Sequence, residues 1–328
     1  TGTRGMGALE FFPATGPRMK KSSKIYFDKL VDLASEILSQ RMELKTSLDG
    51  KNGEDAVRDI LRVGTSAGGA RAKAIIAWNP ETNDVRSGQI EAGSGYEYWL
   101  LKFDGVTGNR DKELDDPQGF GAIEFAYWQM AKEAGITMNE CRLFEENGRR
   151  HFMTKRFDRT DDGAKIHMLS LGGLAHFDYN LPGAYSYEQA FAVMRQLQLP
   201  MSSLEEQFRR MVFNVVARNQ DDHVKNIAFL MDKSGAWSLS PAFDVTYSYQ
   251  PDGAWTAHHQ MTINGKNDHF DPADFKACAQ AASLQRGRYK AILEEVEKAV
   301  SQWPGLADAA GVMPAQRDKI RKALRLPG

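Results

Sequence analysis

The chain has 328 residues, of which 42% are hydrophobic and 26% are charged, and these values are ordinary for a soluble protein with a packed core. The length suggests two domains or two lobes. The 42 basic and 43 acidic residues give a formal net charge of −1, which does not favour nucleic acid or an anionic membrane as a direct partner.

The two cysteines, Cys141 and Cys278, are too few for a disulfide framework or a metal-spaced cluster, and they fit a reducing compartment. No stretch reaches the length of a transmembrane helix, and the first residues do not resemble a signal peptide. We therefore expect a cytoplasmic protein that does not bind or span a membrane. Because the first residue is Thr1 rather than Met, we also expect a fragment or a processed form.

The first segments of the chain mix irregular, helical and Gly-rich patterns. Residues 1–20 predict an irregular arm, and apolar residues near helical spacing predict a helix over 24–45. A second helix is predicted at 54–62. The Gly-rich stretch VGTSAGGARAK at 63–73 follows, and its backbone N–H groups could curl around phosphates. A plain turn between two elements is the alternative for this stretch.

Strands dominate the rest of the first half. AIIAW at 74–78 and the aromatic YEYWLLKF at 96–103 predict strands. A helix is predicted at 120–134. Residues 141–158 predict a hairpin whose turn lies at Asn147 and Gly148.

The second half is mostly helical, apart from two short strands predicted within 227–240. The change in character near residue 158 predicts an α+β protein with a strand-rich lobe at 1–157 and a helical lobe at 158–328. Apolar residues at helical spacing predict helices at 186–197, 203–218, 271–283, 286–302 and 314–324.

Eight residues, NQDDHVKN at 219–226, concentrate polar chemistry between two apolar runs. Burying an uncompensated carboxylate is costly, so this loop either reaches solvent or faces a cleft. Asp221 and Asn226 have the spacing of a protein-kinase catalytic loop, in which the Asp accepts a hydroxyl proton and the Asn binds a metal ion. The Asn oxygen is a hard ligand that suits Mg²⁺. A polar turn that caps a helix is the alternative.

A further carboxylate follows in the stretch PAFDVTYS, where Asp244 lies eighteen residues after Asn226. In kinase-like folds, this order and the intervening strand–turn–strand match the second carboxylate that holds Mg²⁺. The two motifs together therefore favour a kinase more strongly than either does alone.

Two residues of the first half could complete a nucleotide site. Lys102, at the end of its predicted strand, could pair the α- and β-phosphates of ATP, and a solvated lysine is the alternative. Glu124, on the predicted helix, could pair with Lys102, and a surface carboxylate is the alternative. The Gly-rich stretch matches neither G-x-x-x-x-G-K-[ST] nor G-x-G-x-x-G.

In this order, the stretches GGARAK, WLLKF, RFDR, NVVARNQDDHVKNIAFL, LSPAFDVTYS and MTINGKN resemble the HipA-type serine/threonine kinases of bacterial toxin–antitoxin modules. The resemblance covers roughly residues 60–270, and its motifs are specific jointly. It implies a two-lobed protein-kinase-like fold, with a strand-rich N-lobe and a mostly helical C-lobe, and with ATP and Mg²⁺ in the cleft.

The resemblance also implies roles for single residues. Asp221 would be the catalytic base, Asn226 and Asp244 would hold Mg²⁺, and His223 would brace the catalytic loop. Glu124 would support the lysine that contacts the ATP phosphates. The remaining ATP contacts would come from Lys102, from backbone groups of Lys155 and Phe157 at the adenine, and from Ser66, Gly68, Gly69 and Lys73 in the Gly-rich loop.

Members of this family can phosphorylate a serine of their own Gly-rich loop, which here corresponds to Ser66, with Thr65 beside it. A phosphate adds a charge of about −1.5 to −2 to a loop that itself embraces phosphates. The resemblance thus implies that autophosphorylation ejects the loop and switches the enzyme off.

The family implies a bacterial cytoplasmic setting and several partners. The protein substrate would be a glutamyl-tRNA synthetase, another aminoacyl-tRNA synthetase or another translation component. A helix-turn-helix antitoxin would bring the chain to DNA only indirectly. Full-length members also carry an N-terminal subdomain before the GALEFF-like stretch. We therefore expect either a truncated chain or a separate small partner that supplies this piece.

One departure from the family and two alternative functions stay open. Lys155 stands where the family often has an acidic residue, but adenine is read by backbone there, so we expect ATP binding to persist. Asp221, Asp222 and His223 could instead be ligands of a metal-dependent phosphohydrolase, although no second His motif accompanies them. The chain could also be a catalytically silent or incomplete kinase-like scaffold that binds an antitoxin.

Overall fold

The computed structural model of the chain describes residues 6–13, 25–26, 73–88, 91–104, 119–146 and 149–327. The chain divides into two compact units, one formed by residues 1–122 with 140–167 and the other by 123–139 with 168–328. We call these the strand-rich unit and the helical unit. Their limits differ from 1–157 and 158–328 in the placement of two segments, 123–139 and 158–167.

An antiparallel six-stranded sheet forms the strand-rich unit, with the order β1-β3-β2-β4-β6-β5. Its interior is apolar because β2 and β4 carry Ile75, Ile76, Trp99 and Leu101, all of which are fully buried. The strands are β1 (Ile25–Tyr26), β2 (Lys73–Trp78), β3 (Asp84–Ser87), β4 (Glu97–Lys102), β5 (Cys141–Glu146) and β6 (Arg149–Lys155).

The predicted strands at 74–78 and 96–103 and the predicted hairpin are confirmed as β2, β4 and the β5–β6 pair. The two hairpin turn residues lie outside the described residues. The helix predicted over 24–45 is wrong at its start, because Ile25–Tyr26 is a strand that pairs with β3. Pairing along a sheet edge there outweighs the helical spacing of the apolar residues. The rest of that prediction, and the helix predicted at 54–62, lie outside the described residues.

A buried ionic cluster joins the N-terminal segment to the strand-rich unit. The Arg156 guanidinium donates two hydrogen bonds of 2.7 Å to the Asp158 carboxylate, and Arg159 adds a third at 3.1 Å. The Gly7 N–H also donates to Asp158, at 2.7 Å. Although burial alone would raise the pKa of Asp158, the two arginines and the Gly7 N–H hold it below its usual value.

The helical unit consists of helices with two small sheets. Strands β7 (His167–Ser170), β9 (Ala228–Met231) and β10 (Trp237–Leu239) form one sheet, and β8 (Tyr185–Ser186) pairs in parallel with β11 (Met261–Thr262). Helix α1 (Phe120–Glu133) has its first three residues in the strand-rich unit and the rest in the helical unit. The other helices are α2 (Leu171–Ala175), α3 (Tyr187–Gln196), α4 (Met201–Val216), α5 (Pro272–Ala281), α6 (Arg288–Ser301), α7 (Trp303–Ala310) and α8 (Pro314–Ala323).

Local sequence explains where these helices begin and which face they bury. Ser186 and Asp271 each form a capping box with the residue three positions later, at the starts of α3 and α5. Helix α4 buries Leu204, Phe208 and Met211, which recur at helical spacing on one side. The helices predicted in this half are confirmed as α3, α4, α5, α6 and α8, whereas α2 and α7 were not predicted. No helix of the described residues is long and apolar enough to cross a membrane.

Candidate active site

The predicted catalytic loop, residues 219–226, follows directly from the end of α4. Helix α4 ends at Val216, and the Ala217 N–H still donates to the Phe213 carbonyl. Arg218 then adopts a left-handed φ of 58°, which turns the chain out of the helix. The Ala217 carbonyl accepts a 2.6 Å hydrogen bond from the buried Tyr127 hydroxyl. At the far end of the loop, the Val224 carbonyl accepts from the Gly172 N–H at 2.9 Å. The loop is therefore anchored at both ends by the interior of the helical unit.

Asp221 is held by its backbone and presents its carboxylate at the surface of the loop. Its N–H donates to the Ser248 hydroxyl at 3.0 Å, and its carbonyl accepts from the Asn226 amide at 2.8 Å. The carboxylate Oδ1 accepts a 2.8 Å hydrogen bond from the Trp255 indole. The His223 Nε2 lies 3.8 Å from the same oxygen, and the Asp221 side chain is 40% exposed. The carboxylate is thus oriented yet still accessible.

The surroundings of Asp221 disfavour its ionised form. Desolvation raises the pKa of this carboxyl, and the charges of Asp244 and Asp222 act in the same direction. His223 and the Trp255 hydrogen bond oppose the shift without cancelling it. A carboxylate with a raised pKa is a stronger proton acceptor, which is the property that a general base requires.

Asp222 has the opposite environment, and the sequence analysis assigned it no role in a kinase site. Its side chain is only 1% exposed. Oδ2 accepts from the Tyr187 hydroxyl at 2.8 Å and lies 2.9 Å from His259 Nδ1, and Oδ1 accepts from the Gln260 N–H at 2.8 Å. Asp222 therefore anchors the loop from inside. The adjacent Asp-Asp pair was the available signal, because neighbouring side chains of an extended segment point in opposite directions.

Burial alone would raise the pKa of Asp222, but its partners reverse the effect. His259, the Tyr187 hydroxyl and the Gln260 N–H stabilise the carboxylate and lower its pKa below the usual value. Because these groups engage both oxygens of Asp222, the geometry does not favour a metal site built from Asp221, Asp222 and His223. Across the described ranges, no three His, Cys, Asp or Glu side chains come together as a set that could hold a metal ion.

Asn226 and Asp244 meet the chemical requirements of an Mg²⁺ site that also takes ligands from phosphate and water. The Asn226 Nδ2 donates to the Asp221 carbonyl, which leaves the hard Oδ1 as the atom for a cation. Asp244 lies on a left-handed turn with a φ of 56°, and its charge contributes to the raised pKa of Asp221. A divalent cation would compensate this concentration of negative charge, so the residues fit the ion.

In the strand-rich unit, two of the predicted ATP-binding lysines lie opposite each other. Lys73 in β2 and Lys102 in β4 are partners in the antiparallel register, and both side chains are buried. The Lys102 ammonium lies 5.7 Å from the centre of the Phe152 ring. The register thus brings two lysine side chains to the same end of the sheet.

The other predicted ATP contacts are only partly visible. The Lys155 N–H donates to the Glu140 carbonyl at 2.8 Å, so a backbone contact from Lys155 to adenine would have to use its carbonyl group. Phe157 lies two residues after the end of β6, and its predicted contact with adenine stays a prediction. Glu124 is buried in the part of α1 that belongs to the helical unit, so it is not a surface carboxylate. Its pairing with Lys102 also stays a prediction. Thr65, Ser66, Gly68 and Gly69 lie outside the described residues.

His223 was predicted to brace the loop. Its carbonyl accepts the Asn226 N–H at 2.8 Å, its ring approaches Asp221, and it meets the Tyr179 ring edge-on at a centroid distance of 5.8 Å. The exposed Lys225 lies over the same Tyr179 ring, with its ammonium 3.0 Å from the ring centre. Tyr179 and Trp255 could not be predicted as part of this group, because nothing in their local sequence indicates contact with a loop tens of residues away.

Comparisons with known proteins identify the family and the fold of the chain. The model of the family described as the HipA-like C-terminal domain matches residues 65–303. This is most of the chain, and the chain therefore belongs to that family. A chain of the Shewanella oneidensis MR-1 toxin–antitoxin complex of HipA, HipB and operator DNA has a TM-score of 0.65 over 97% of this chain and 73% of its own. The sequence identity is 16%, so this similarity shows only the α+β fold that the two chains share.

Two further proteins are similar over smaller parts or at lower scores. A Haemophilus influenzae protein named "Putative kinase" is 28% identical over 134 residues. The match spans 37% of this chain and only 39% of that relative. The proinflammatory kinase CtkA of Helicobacter pylori is 12% identical, with a TM-score of 0.39 over 69% of this chain and 92% of its own. A score of this size supports no conclusion about function.

Proposed function

We propose that the chain is an ATP- and Mg²⁺-dependent protein serine/threonine kinase of the HipA type. The arrangement of the 219–226 loop carries the proposal. It combines a partly exposed Asp221 of raised pKa with Asn226, whose amide is tied to the Asp221 backbone, and with the nearby charge of Asp244. This is the set of groups that phosphoryl transfer to a hydroxyl requires.

In this proposal, Asp221 accepts the proton of the substrate hydroxyl. The Trp255 indole engages Oδ1, so Oδ2 is the oxygen that takes the proton. The Asn226 Oδ1 and the Asp244 carboxylate hold Mg²⁺, which neutralises the charge of the phosphates when it is bound. Asp222 and His223 keep the loop in place while the base acts. The contribution of the chain is thus mainly positioning and charge stabilisation.

The nucleotide is proposed to be bound mainly by residues of the strand-rich unit. Lys73 and Lys102 hold the phosphates with the N–H groups of the Gly-rich loop, including Ser66, Gly68 and Gly69. Lys155 and Phe157 contact the adenine through their backbone, and Glu124 pairs with Lys102. The register that sets Lys73 opposite Lys102 supports this assignment, because it brings two lysines to the same end of the sheet.

Autophosphorylation at Ser66 or Thr65 is proposed as the switch of this enzyme. A phosphate in the Gly-rich loop repels the phosphates that the loop binds. As a toxin in the bacterial cytoplasm, the kinase would act on a translation component such as an aminoacyl-tRNA synthetase. The solved complex that contains HipA, HipB and operator DNA supports an antitoxin partner, through which this chain would meet DNA only indirectly. A small separate protein could supply the N-terminal subdomain.

The test is intact-mass and phosphopeptide analysis after incubation with Mg·ATP. The parent is expected to gain a phosphate on Ser66 or Thr65, whereas Asp221→Ala should lose about 10²–10⁴-fold in rate, as expected for removal of a general base. Asp318→Ala is the matched control, because Asp318 is an exposed carboxylate of α8 that pairs with Arg317. If the parent and this control bind Mg·ATP but phosphorylate neither themselves nor added protein, the kinase proposal is wrong and a silent scaffold is supported.

A further inference from the structure

The segment 248–260, which we call the strap, bonds to three consecutive residues of the catalytic loop. The Ser248 hydroxyl accepts the Asp221 N–H, and the Trp255 indole donates to the Asp221 carboxylate. The Thr256 carbonyl accepts a 3.2 Å hydrogen bond from the Gln220 amide. His259 and Gln260 bind the carboxylate of Asp222. The strap therefore follows the loop from its first residues to the base and to the buried anchor.

Trp255 occupies a fixed place within the strap. Its own carbonyl accepts a hydrogen bond from the Gln260 side chain, and the Gln260 N–H in turn donates to Asp222. The position of the indole is thus tied to the same buried carboxylate that anchors the loop. A residue whose backbone is fixed in this way by a hydrogen-bonded neighbour can hold its partner, the Asp221 carboxylate, in one orientation.

The hydrogen bond from Trp255 distinguishes the two oxygens of Asp221. Oδ1 receives the indole N–H at 2.8 Å and lies 3.8 Å from His223 Nε2. Among the described residues, no group donates a hydrogen bond to Oδ2. Rotation of the carboxylate about its terminal bond is otherwise broad, because terminal sp³–sp² torsions have shallow preferences. A single strong donor at Oδ1 therefore determines where Oδ2 points.

We propose that Trp255 is a positioning residue that holds the Asp221 carboxylate with Oδ2 facing the hydroxyl of the protein substrate. This inference rests on the proposed kinase function, in which Asp221 is the base. Among the described residues, the hydrogen bonds of Trp255 join it to Asp221 and Gln260, neither of which is assigned to ATP or Mg²⁺. Loss of the Trp255 indole N–H should therefore lower the kcat of phosphoryl transfer and leave the KM for ATP nearly unchanged.

The change to make is Trp255→Phe, which keeps an aromatic ring and removes the N–H. A hydrogen bond to a charged group is strong enough that its loss should lower kcat about ten- to hundredfold. The matched control is Trp128→Phe, because the Trp128 indole donates a 2.9 Å hydrogen bond to the Asn139 carbonyl, in the same unit, and not to a residue of the loop. The control should keep the parent kcat.

A double-mutant cycle separates positioning from a general structural role. If Trp255 acts only through Asp221, then Trp255→Phe should have no further effect on the residual rate of Asp221→Ala. If the substitution disturbs the fold or nucleotide binding, the rate or the ATP affinity should fall again in that background. If Trp255→Phe lowers the rate by the same factor in the parent and in Asp221→Ala, the inference is overturned.

A second readout does not depend on activity. The chain has 6 tryptophans, so the indole N–H region of a ¹⁵N-labelled sample is sparse, and the Trp255 signal is assigned by its absence in Trp255→Phe. Asp221→Ala should shift the Trp255 signal and leave the Trp128 signal in place. A Trp255 signal that does not move would overturn the inference, whereas an inactive parent with a moving signal would overturn the proposed kinase function.

Discussion

At the residue scale, His151 is an uncharged histidine inside the strand-rich unit. It is fully buried, and its Nδ1 accepts the Asp104 N–H at 2.9 Å. A ring that accepts at Nδ1 cannot also carry a proton there, so protonation would break this bond. Burial lowers the pKa of His151 to about 4, although the Asp104 charge opposes the shift.

This pKa predicts that the protein loses stability in mild acid. The unfolded chain takes up a proton near pH 6.5, whereas the folded chain does so only near pH 4. The free energy of unfolding should therefore fall as the pH drops through this window, by about 3 kcal/mol in total from this one group. His151→Gln, which keeps an acceptor for Asp104, should remove most of that dependence. Urea unfolding at several pH values between 7 and 4.5 measures it.

The control for this prediction is His176→Asn, since His176 is exposed and has a left-handed φ of 57° that Asn tolerates. The control should keep the acid sensitivity of the parent. Equal pH slopes for the parent and His151→Gln would show that carboxylates, and not this histidine, dominate the acid response.

Single residues also show how far the candidate site could be predicted. Asp221, Asn226 and Asp244 could be proposed as site residues because their spacing along the chain is itself the signal. Trp255 was not found, since its role depends on a fold that brings it back onto the loop 34 positions away. The sequence contains the residue, but only tertiary structure supplies its partner.

At the element scale, helix α1 begins with a cap from a distant residue. The helix starts at Phe120, and the preceding Gly119 has no side chain that could cap it. The Asp104 carboxylate, which follows β4, accepts the N–H of Gly119 at 2.9 Å and that of Gly121 at 3.3 Å. A buried negative charge at a helix N-terminus also interacts favourably with the helix dipole. The start of α1 is thus fixed to the end of β4 by one side chain.

This arrangement predicts that Gly121 tolerates no side chain. A Cβ at this position would overlap the Arg150 carbonyl oxygen, and backbone cannot move away as a flexible side chain can. Gly121→Ala should therefore destabilise the protein by about 1–3 kcal/mol, as overpacking usually does. Gly305→Ala in α7 is the opposite case, because open space surrounds its Cβ position, and it should stabilise by up to about 1 kcal/mol. Thermal unfolding of both variants compares them directly, and similar effects would contradict the steric argument.

The elements also differ in how well sequence predicts them. Helices α4 and α6 were predicted within two residues at each end, because long amphipathic patterns are strong signals. Helix α7 was missed because its start, Trp303 followed by Pro304 and Gly305, resembles a break, although Pro fits the first turn of a helix. The two-residue strands β8 and β11 are too short to have a pattern, and they exist only because they pair with each other.

At the scale of the whole molecule, the C-terminal segment supports the start of the catalytic loop. The Arg325 N–H donates to the Val216 carbonyl at 2.9 Å, where α4 ends. The Arg218 guanidinium donates to the Ala323 carbonyl at 2.8 Å, at the end of α8. Arg325 also pairs with Asp268, beyond the strap. The candidate base thus depends on chain segments that lie about a hundred residues apart in sequence.

If the chain binds nucleotide as proposed, its stability against unfolding should depend on the nucleotide concentration. A ligand that binds only the folded protein raises the free energy of unfolding, by about 2.7 kcal/mol at a hundredfold excess over Kd. A non-hydrolysable ATP analogue with Mg²⁺ should therefore raise the melting temperature of the parent and of Asp318→Ala equally. Removing Mg²⁺ with EDTA should abolish most of the gain.

Asp244→Ala should lose the part of this stabilisation that depends on Mg²⁺, because its carboxylate is the proposed anionic ligand of the ion. Without ligand, this variant should lose about 1–2 kcal/mol, because Ala is strained at the left-handed φ of 56° that Asp244 adopts. The Mg²⁺-dependent gain of each protein is therefore measured against that protein without ligand. A full Mg²⁺-dependent gain in Asp244→Ala would show that the ion binds elsewhere, and the assignment of Asn226 as the second ligand would fail with it.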